Sequence, residues 1–147
     1  MATQLKMNWT GNMKGHGAIE AERLNAPVAI PQGLGGSGEG TNPKALLLSS
    51  AASCYLLTLV AILQNKKLSA AELTLSSEVS DIKENDFSIS HQVHVTLSDD
   101  ATEEQVQAAK SAFEMADKAC AIGNILKKAG AQISVDGTVA LAENLAA

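Results

Sequence analysis

The chain has 147 residues, a formal net charge of −5, a single arginine at Arg23 and 3% aromatic residues. That length fits one domain covering 1–147, and an acidic chain without a basic cluster offers no electrostatic footprint for nucleic acid or an anionic membrane. With so few aromatic rings the core must be built from Leu, Ile, Val and Ala.

Leu5, Met7 and Trp9 alternate with Lys6, Asn8 and Thr10, and Gly11-Asn12 with Gly15-His16-Gly17 supplies turn chemistry before a second strand at 18–22. Pro27-Val-Ala-Ile-Pro31 leads into a glycine-rich loop at 33–40. The loop has neither the GK[ST] ending of a P-loop nor a GxGxxG between strand and helix, so it reads as a connection. Asn42 and Pro43 start a helix expected to run to about Asn65, because an Asn side chain caps orphan amides and Pro at the first helical position has its φ preset. Residues 72–79 and 87–97 alternate apolar and polar side chains, as half-buried strands joined by a polar turn at 83–86. Thr102-Glu-Glu-Gln105 is a capping-box start. Val106, Ala109, Phe113, Ala116 and Cys120 then fall on one helical stripe, which turns Cys120 inward. A break near Cys120, a short helix from Ala121 to Lys128 stopped by Ala129-Gly130, and a last strand at 133–141 complete the order. This is an α+β fold with mainly antiparallel pairing.

No charged residue occurs between Lys44 and Lys66, a stretch long enough to cross a hydrocarbon core of about 30 Å. Ser49, Ser50, Ser53, Thr58 and Gln64 interrupt it and soluble-type strands follow, so the sequence points to a helix enclosed by protein, with no membrane partner. In a chain this short, a second subunit is the easiest source of part of that cover.

The two cysteines, Cys54 and Cys120, are too few for a disulfide-stapled scaffold and do not complete a structural zinc site, and no secretory signal is read. They are either small hydrophobes in a core or a pair of redox thiols. Because Cys54 sits inside its helix rather than at the first turn, the helix dipole would lower its pKa little. Activation therefore calls for a nearby cation or donor, which the sequence does not name. His91 falls on the apolar face of its strand as a satisfied core or interface histidine, while His16 and His94 read as turn and exposed strand. Glu20 and Glu22 are what the polar side of a hairpin carries.

Gly33-Leu-Gly-Gly-Ser-Gly-Glu-Gly-Thr-Asn-Pro43, the helix with Ser-Ala-Ala-Ser-Cys54, and Ala119-Cys-Ala-Ile-Gly-Asn124 resemble the OsmC/Ohr family of osmotically inducible and organic-hydroperoxide-resistance proteins. The likeness runs from Trp9-Thr-Gly to the final strand. It implies a cytoplasmic, intertwined homodimer with a long buried cysteine-bearing helix. It also implies a peroxidase for organic hydroperoxides in oxidative stress defence, with Cys54 peroxidatic, Cys120 resolving, no metal or cofactor, and a dithiol or lipoylated protein as reductant. Family enzymes pair the cysteine with a glutamate just after Asn-Pro and with an arginine. Here the glutamate position is Lys44, and the arginine positions align with Met13 and Lys14 or with Leu34. Lys44 and Arg23 are the candidates to hold the thiolate instead, although ten residues of straight helix put Lys44 about 15 Å along the axis from Cys54. The alternatives are a ligand-binding or structural dimer on the same fold without peroxidase activity, and a thiol redox enzyme or sensor for another electrophile.

Overall fold

The computed structural model describes residues 1–143, which form six strands, three α-helices and one turn of 3-10 helix. Two compact units meet in the chain between Leu47 and Leu48.

The N-terminal unit is an antiparallel meander of β1 (Leu5–Thr10), β2 (His16–Ala21) and β3 (Leu24–Val28). Its β1–β2 turn is held by the Trp9 indole, which donates to the carbonyls of Gly11 and Asn12 at 3.1 Å each. The first two strands are those the sequence predicts, and β3 is a third that its pattern does not announce. β3 carries Pro27 and is short, which a sheet accepts at an edge because an edge N–H need not join the ladder. The glycine-rich segment is tightly folded and closed at its base, where Thr41 N donates to Pro27 O at 2.8 Å and Ala29 N to Thr41 O at 3.1 Å. The helix α1 (Pro43–Asn65) starts where expected, and Asn42 Oδ1 accepts from Ala45 N at 3.0 Å as its cap.

The C-terminal unit contains a sheet in the order β4 (Ala70–Val79), β5 (Phe87–Leu97), β6 (Ala131–Leu141). β4 and β5 pair antiparallel across the polar turn, in which Asn85 takes the left-handed conformation with φ 62°. β6 lies parallel to β5, because the helices α2 (Glu103–Ala119) and α3 (Ala121–Lys128) carry the chain back across the sheet before it enters. The α2 capping box forms as read, with Gln105 N donating to Thr102 Oγ1 at 3.2 Å and Thr102 N to Gln105 Oε1 at 2.8 Å.

Ala51, Tyr55, Leu59 and Leu63, spaced four apart, are the buried stripe of α1. Tyr55, Leu59 and Leu63 join Val93, Val95 and Leu97 of β5 and Ala109, Ala112, Phe113 and Ala116 of α2 in one aliphatic core. By length and composition alone α1 would also cross a membrane. Small residues let α2 approach the sheet closely: a Cβ on Gly137 of β6 would overlap the Phe113 ring. One polar side chain is buried among these apolar ones, His91, whose Nδ1 lies 2.6 Å from Ser77 Oγ and whose ring stacks on Tyr55 with centroids 5.1 Å apart. Burial holds the imidazole below its usual pKa, against a smaller upward pull from Asp117.

Gly137→Ala forces either the ring or the strand to move, and is expected to lower stability by about 1–3 kcal/mol in urea unfolding. The His91 shift gives a pH dependence of known sign. The unfolded chain takes up a proton on this residue near its ordinary pKa of about 6.5 while the folded chain resists, so the contribution is complete above that pH and lost as pH falls below it. Urea midpoints across that range should show the loss in the native protein and a shallower one in His91→Gln.

Candidate functional site

The site is made where α2 ends. At Cys120 the backbone turns extended, with φ −72° and ψ 109°, so that the residue closes α2 and caps α3 at once. Its Sγ accepts from Gly123 N at 3.4 Å, replacing the hydroxyl that usually fills this position. Gly123 is buried, and a Cβ there would come within 3.2 Å of that sulfur, so the glycine makes room for the thiol over the first turn of α3. Asn124 completes the junction by donating from Nδ2 to the Lys118 carbonyl at 2.9 Å, which satisfies one of the orphan acceptors at the end of α2. Across the same junction Lys127 Nζ meets Asp117 Oδ2 at 2.9 Å. Asp117, Cys120, Gly123 and Asn124 thus each have a visible task in the turn or beside it.

Cys54, in the middle of α1, is half-buried and free, and Cys120 is buried and free. Each thiol bears on the ionisation of the other, which brings Cys54 and Cys120 together. Burial alone would push the Cys54 thiol up, but it is outweighed by hydrogen bonds from the Ile122 amide, the Cys120 thiol, the Ala121 amide and the Thr58 hydroxyl, and Cys54 lies below the ordinary thiol range. Thr58 is one turn on, and its Oγ1 donates to the Cys54 carbonyl at 2.7 Å. Cys120 goes the other way. Burial raises it first, the Gly123 amide offsets part of this, and its bond to Cys54 with the charges of Cys54 and Asp117 raises it further. The pair is therefore asymmetric, with the more accessible sulfur as the better thiolate.

Tyr55, next to Cys54, points into the core and donates to the Phe113 carbonyl at 3.1 Å, tying α1 to α2. Burial, then Asp117 and Cys120, push its phenol above the ordinary range, so it remains a neutral donor. Among the described residues no three His, Cys, Asp or Glu side chains gather into a group able to hold a metal ion.

Of the residues singled out from the sequence, Cys54 and Cys120 come together. Arg23 is exposed in the turn between β2 and β3, and Lys44 stands at the second position of α1; the groups that set the Cys54 titration are others. Sequence reasoning placed the helix break at Cys120 but did not see that it frees the amides of Ala121 and Ile122 toward Cys54. It also passed over Asp117, whose only signal was a carboxylate near the cysteine and about three turns ahead of a lysine pair.

The family described as OsmC-like protein matches residues 36–136. The uncharacterized protein YmaD of Bacillus subtilis is 34% identical over 142 residues, covering 90% of this chain and 95% of that protein. An organic hydroperoxide resistance protein of Xanthomonas axonopodis is 32% identical over 72 residues, 48% of this chain and 51% of that one. In fold, the crystal structure of an organic hydroperoxide resistance protein from Legionella pneumophila superposes with a TM-score of 0.64 at 22% identity, covering 93% of this chain and 96% of that one. With the family matched over residues 36–136 and a relative matched over 90% of its length, the chain belongs to the OsmC-like protein family.

Proposed function

We propose that the protein is a thiol-dependent peroxidase for organic hydroperoxides, in which Cys54 attacks and Cys120 resolves. The observation that carries this reading is the Cys54 thiol itself, free, only partly buried, brought together with a second free thiol and lowered in pKa by the α3 amides. Family membership supports a redox role connected with peroxides, and the matched relatives named for organic hydroperoxide resistance point to the substrate class.

The steps balance without a metal or organic cofactor. The Cys54 thiolate attacks the distal oxygen of ROOH, the O–O bond breaks, and the departing alkoxide takes a proton to leave as alcohol, with Cys54 oxidised to a sulfenic acid. The α3 amides that stabilise the thiolate remain beside the sulfur through this step. Cys120 then attacks the sulfenic sulfur, a disulfide forms and hydroxide leaves with the thiol proton as water. An external dithiol, free or on a lipoylated protein, exchanges with the disulfide and restores both thiols, which suits the reducing cytoplasm.

We also propose a homodimer. Leu57 and Val60 on α1 are 68% and 41% exposed, and Leu5, Met7 and Trp9 line an exposed β1, each apolar surface of a kind that a second subunit covers.

Reduced protein mixed with one equivalent of cumene hydroperoxide at neutral pH should lose both thiols, with an intact-mass decrease of two hydrogens. Cys120→Ser should complete the first turnover and then accumulate sulfenic and more oxidised Cys54, whereas Cys54→Ser should consume no peroxide. Persistence of both thiols in the native protein would remove the peroxidase reading and favour a binding or structural dimer. Sedimentation equilibrium should give twice the mass of the 15.2 kDa chain; a monomer at all concentrations would remove the dimer.

A further inference from the structure

A disulfide between two helices is demanding of their register. It needs Cβ atoms about 3.5–4.5 Å apart, and a slip of one residue along a helix is about 1.5 Å, so a single step of sliding uses up the whole tolerance. Cys54 is on α1 and Cys120 closes α2, and the apolar packing of the two helices does little to fix that step. To the shared core α2 brings Ala109, Ala112 and Ala116, a row of small side chains, and α1 brings Leu59 and Leu63. Apolar burial has no direction, so such a surface holds two helices together more firmly than it holds them in place.

The directional contact is made by Tyr55. It follows Cys54 in the chain, is 1% exposed, and donates from its hydroxyl to the Phe113 carbonyl at 3.1 Å. Phe113 stands seven residues before Cys120, about 10 Å along the α2 axis. Both ends of this bond are anchored to the sheet. The Tyr55 ring stacks on His91 with planes 16° apart, and His91 Nδ1 is itself 2.6 Å from Ser77 Oγ, while the Phe113 ring sits against Gly137. A second bond between the helices, from Lys66 Nζ to Ser111 Oγ at 3.3 Å, is exposed, where water competes for both partners. Because Phe113 lies inside α2, its carbonyl also has a place in the helix ladder and takes the phenol on its other lone pair. The backbone therefore does not need the Tyr55 hydroxyl, and Tyr55→Phe strands no acceptor.

We infer that Tyr55 is a positioning residue, whose hydroxyl fixes α1 along α2, keeps Cys54 in bonding reach of Cys120 and thereby sets how readily the two thiols join. The hydrogen bond and the disulfide restrain the same slide. Each forms at lower entropic cost once the other is present, so removal of the hydroxyl weakens the disulfide.

The inference rests on the pairing of Cys54 with Cys120 in the proposed cycle, but its test uses no peroxide. Protein is equilibrated without oxygen in mixtures of reduced and oxidised glutathione at neutral pH, free thiols are trapped with N-ethylmaleimide, and the disulfide fraction is read from the intact mass. In this exchange the two protein thiols give up two electrons and two protons to glutathione disulfide, which leaves as two molecules of glutathione. Tyr55→Phe keeps the ring and its stacking, and should need a ratio of oxidised to squared reduced glutathione about two- to tenfold higher for half-conversion, the factor that an ordinary net hydrogen bond carries. Thr102→Ala removes the cap at the far end of α2, and should lower the urea midpoint while leaving the glutathione equilibrium where it is. An unchanged equilibrium in Tyr55→Phe, or an equal shift in Thr102→Ala, would overturn the inference. Absence of a disulfide in the native protein at the most oxidising ratio would remove the pairing, and this inference with it. A protein inert to peroxide that still shows the Tyr55→Phe shift would strike the peroxidase reading and leave this one standing.

Discussion

The constraint on which the site depends is the single extended residue between two helices. Had α2 continued through Cys120, the amides of Ala121 and Ile122 would have been spent on carbonyls one turn back, and Cys54 would have lost both backbone donors. Ending the helix there frees the first amides of α3, as every helix start must. The surrounding contacts hold that break in place. Phe113 seats α2 over Gly137, Tyr55 ties α1 to the Phe113 carbonyl, and Asn124 and Lys127 close the junction from the α3 side. The packing of the C-terminal unit is in this sense the support for one turn of backbone.

Neutral donors suffice for the task because several act at once. A half-buried thiol without partners is pushed up and inert, and the largest single influence on Cys54 is indeed its burial. A hydrogen bond to a charged group contributes about 1.5–3 kcal/mol, while one pKa unit corresponds to about 1.4 kcal/mol. Two amides, a thiol and a hydroxyl can therefore overcome a moderate desolvation and leave the net shift downward. Dipoles held by the backbone also need no reorganisation when the sulfur ionises, unlike a long cationic side chain that has to be ordered.

Much of the fold was legible because the local signals were strong and agreed with one another. Asn42-Pro43 marked the start of α1, Thr102 to Gln105 marked that of α2, and period-two alternation gave β4 and β5 with His91 correctly turned inward. Other features are set by partners rather than by the segment itself. β3 is not announced by its segment, since Pro27 argues against a strand until its edge position is known. The parallel course of β6 was equally hidden, since alternation identifies a face but not the direction of the neighbour. α1 shows the same limit. Its uniform apolarity announced enclosure, yet the α1 side chains fully buried in the core of its own chain are Tyr55, Leu59 and Leu63, with Leu57 and Val60 exposed.

For the site the limit is of another kind. Among side chains the sequence offers Lys44 and Arg23 as activating groups, because the family's arginine and glutamate positions hold other residues. The groups that face Cys54 include two peptide amides, and any residue but proline supplies one. Alanine and isoleucine at 121 and 122 therefore carried no chemical message. What the sequence did encode was the place where amides come free, through the stripe that ends at Cys120 and the Gly123-Asn124 pair that shapes the next turn. A site that delegates charge stabilisation to backbone is read from where helices stop and start rather than from which ionisable residues are present. A departure from a family's charged partners then leaves the chemistry of the thiol open to support from the fold itself.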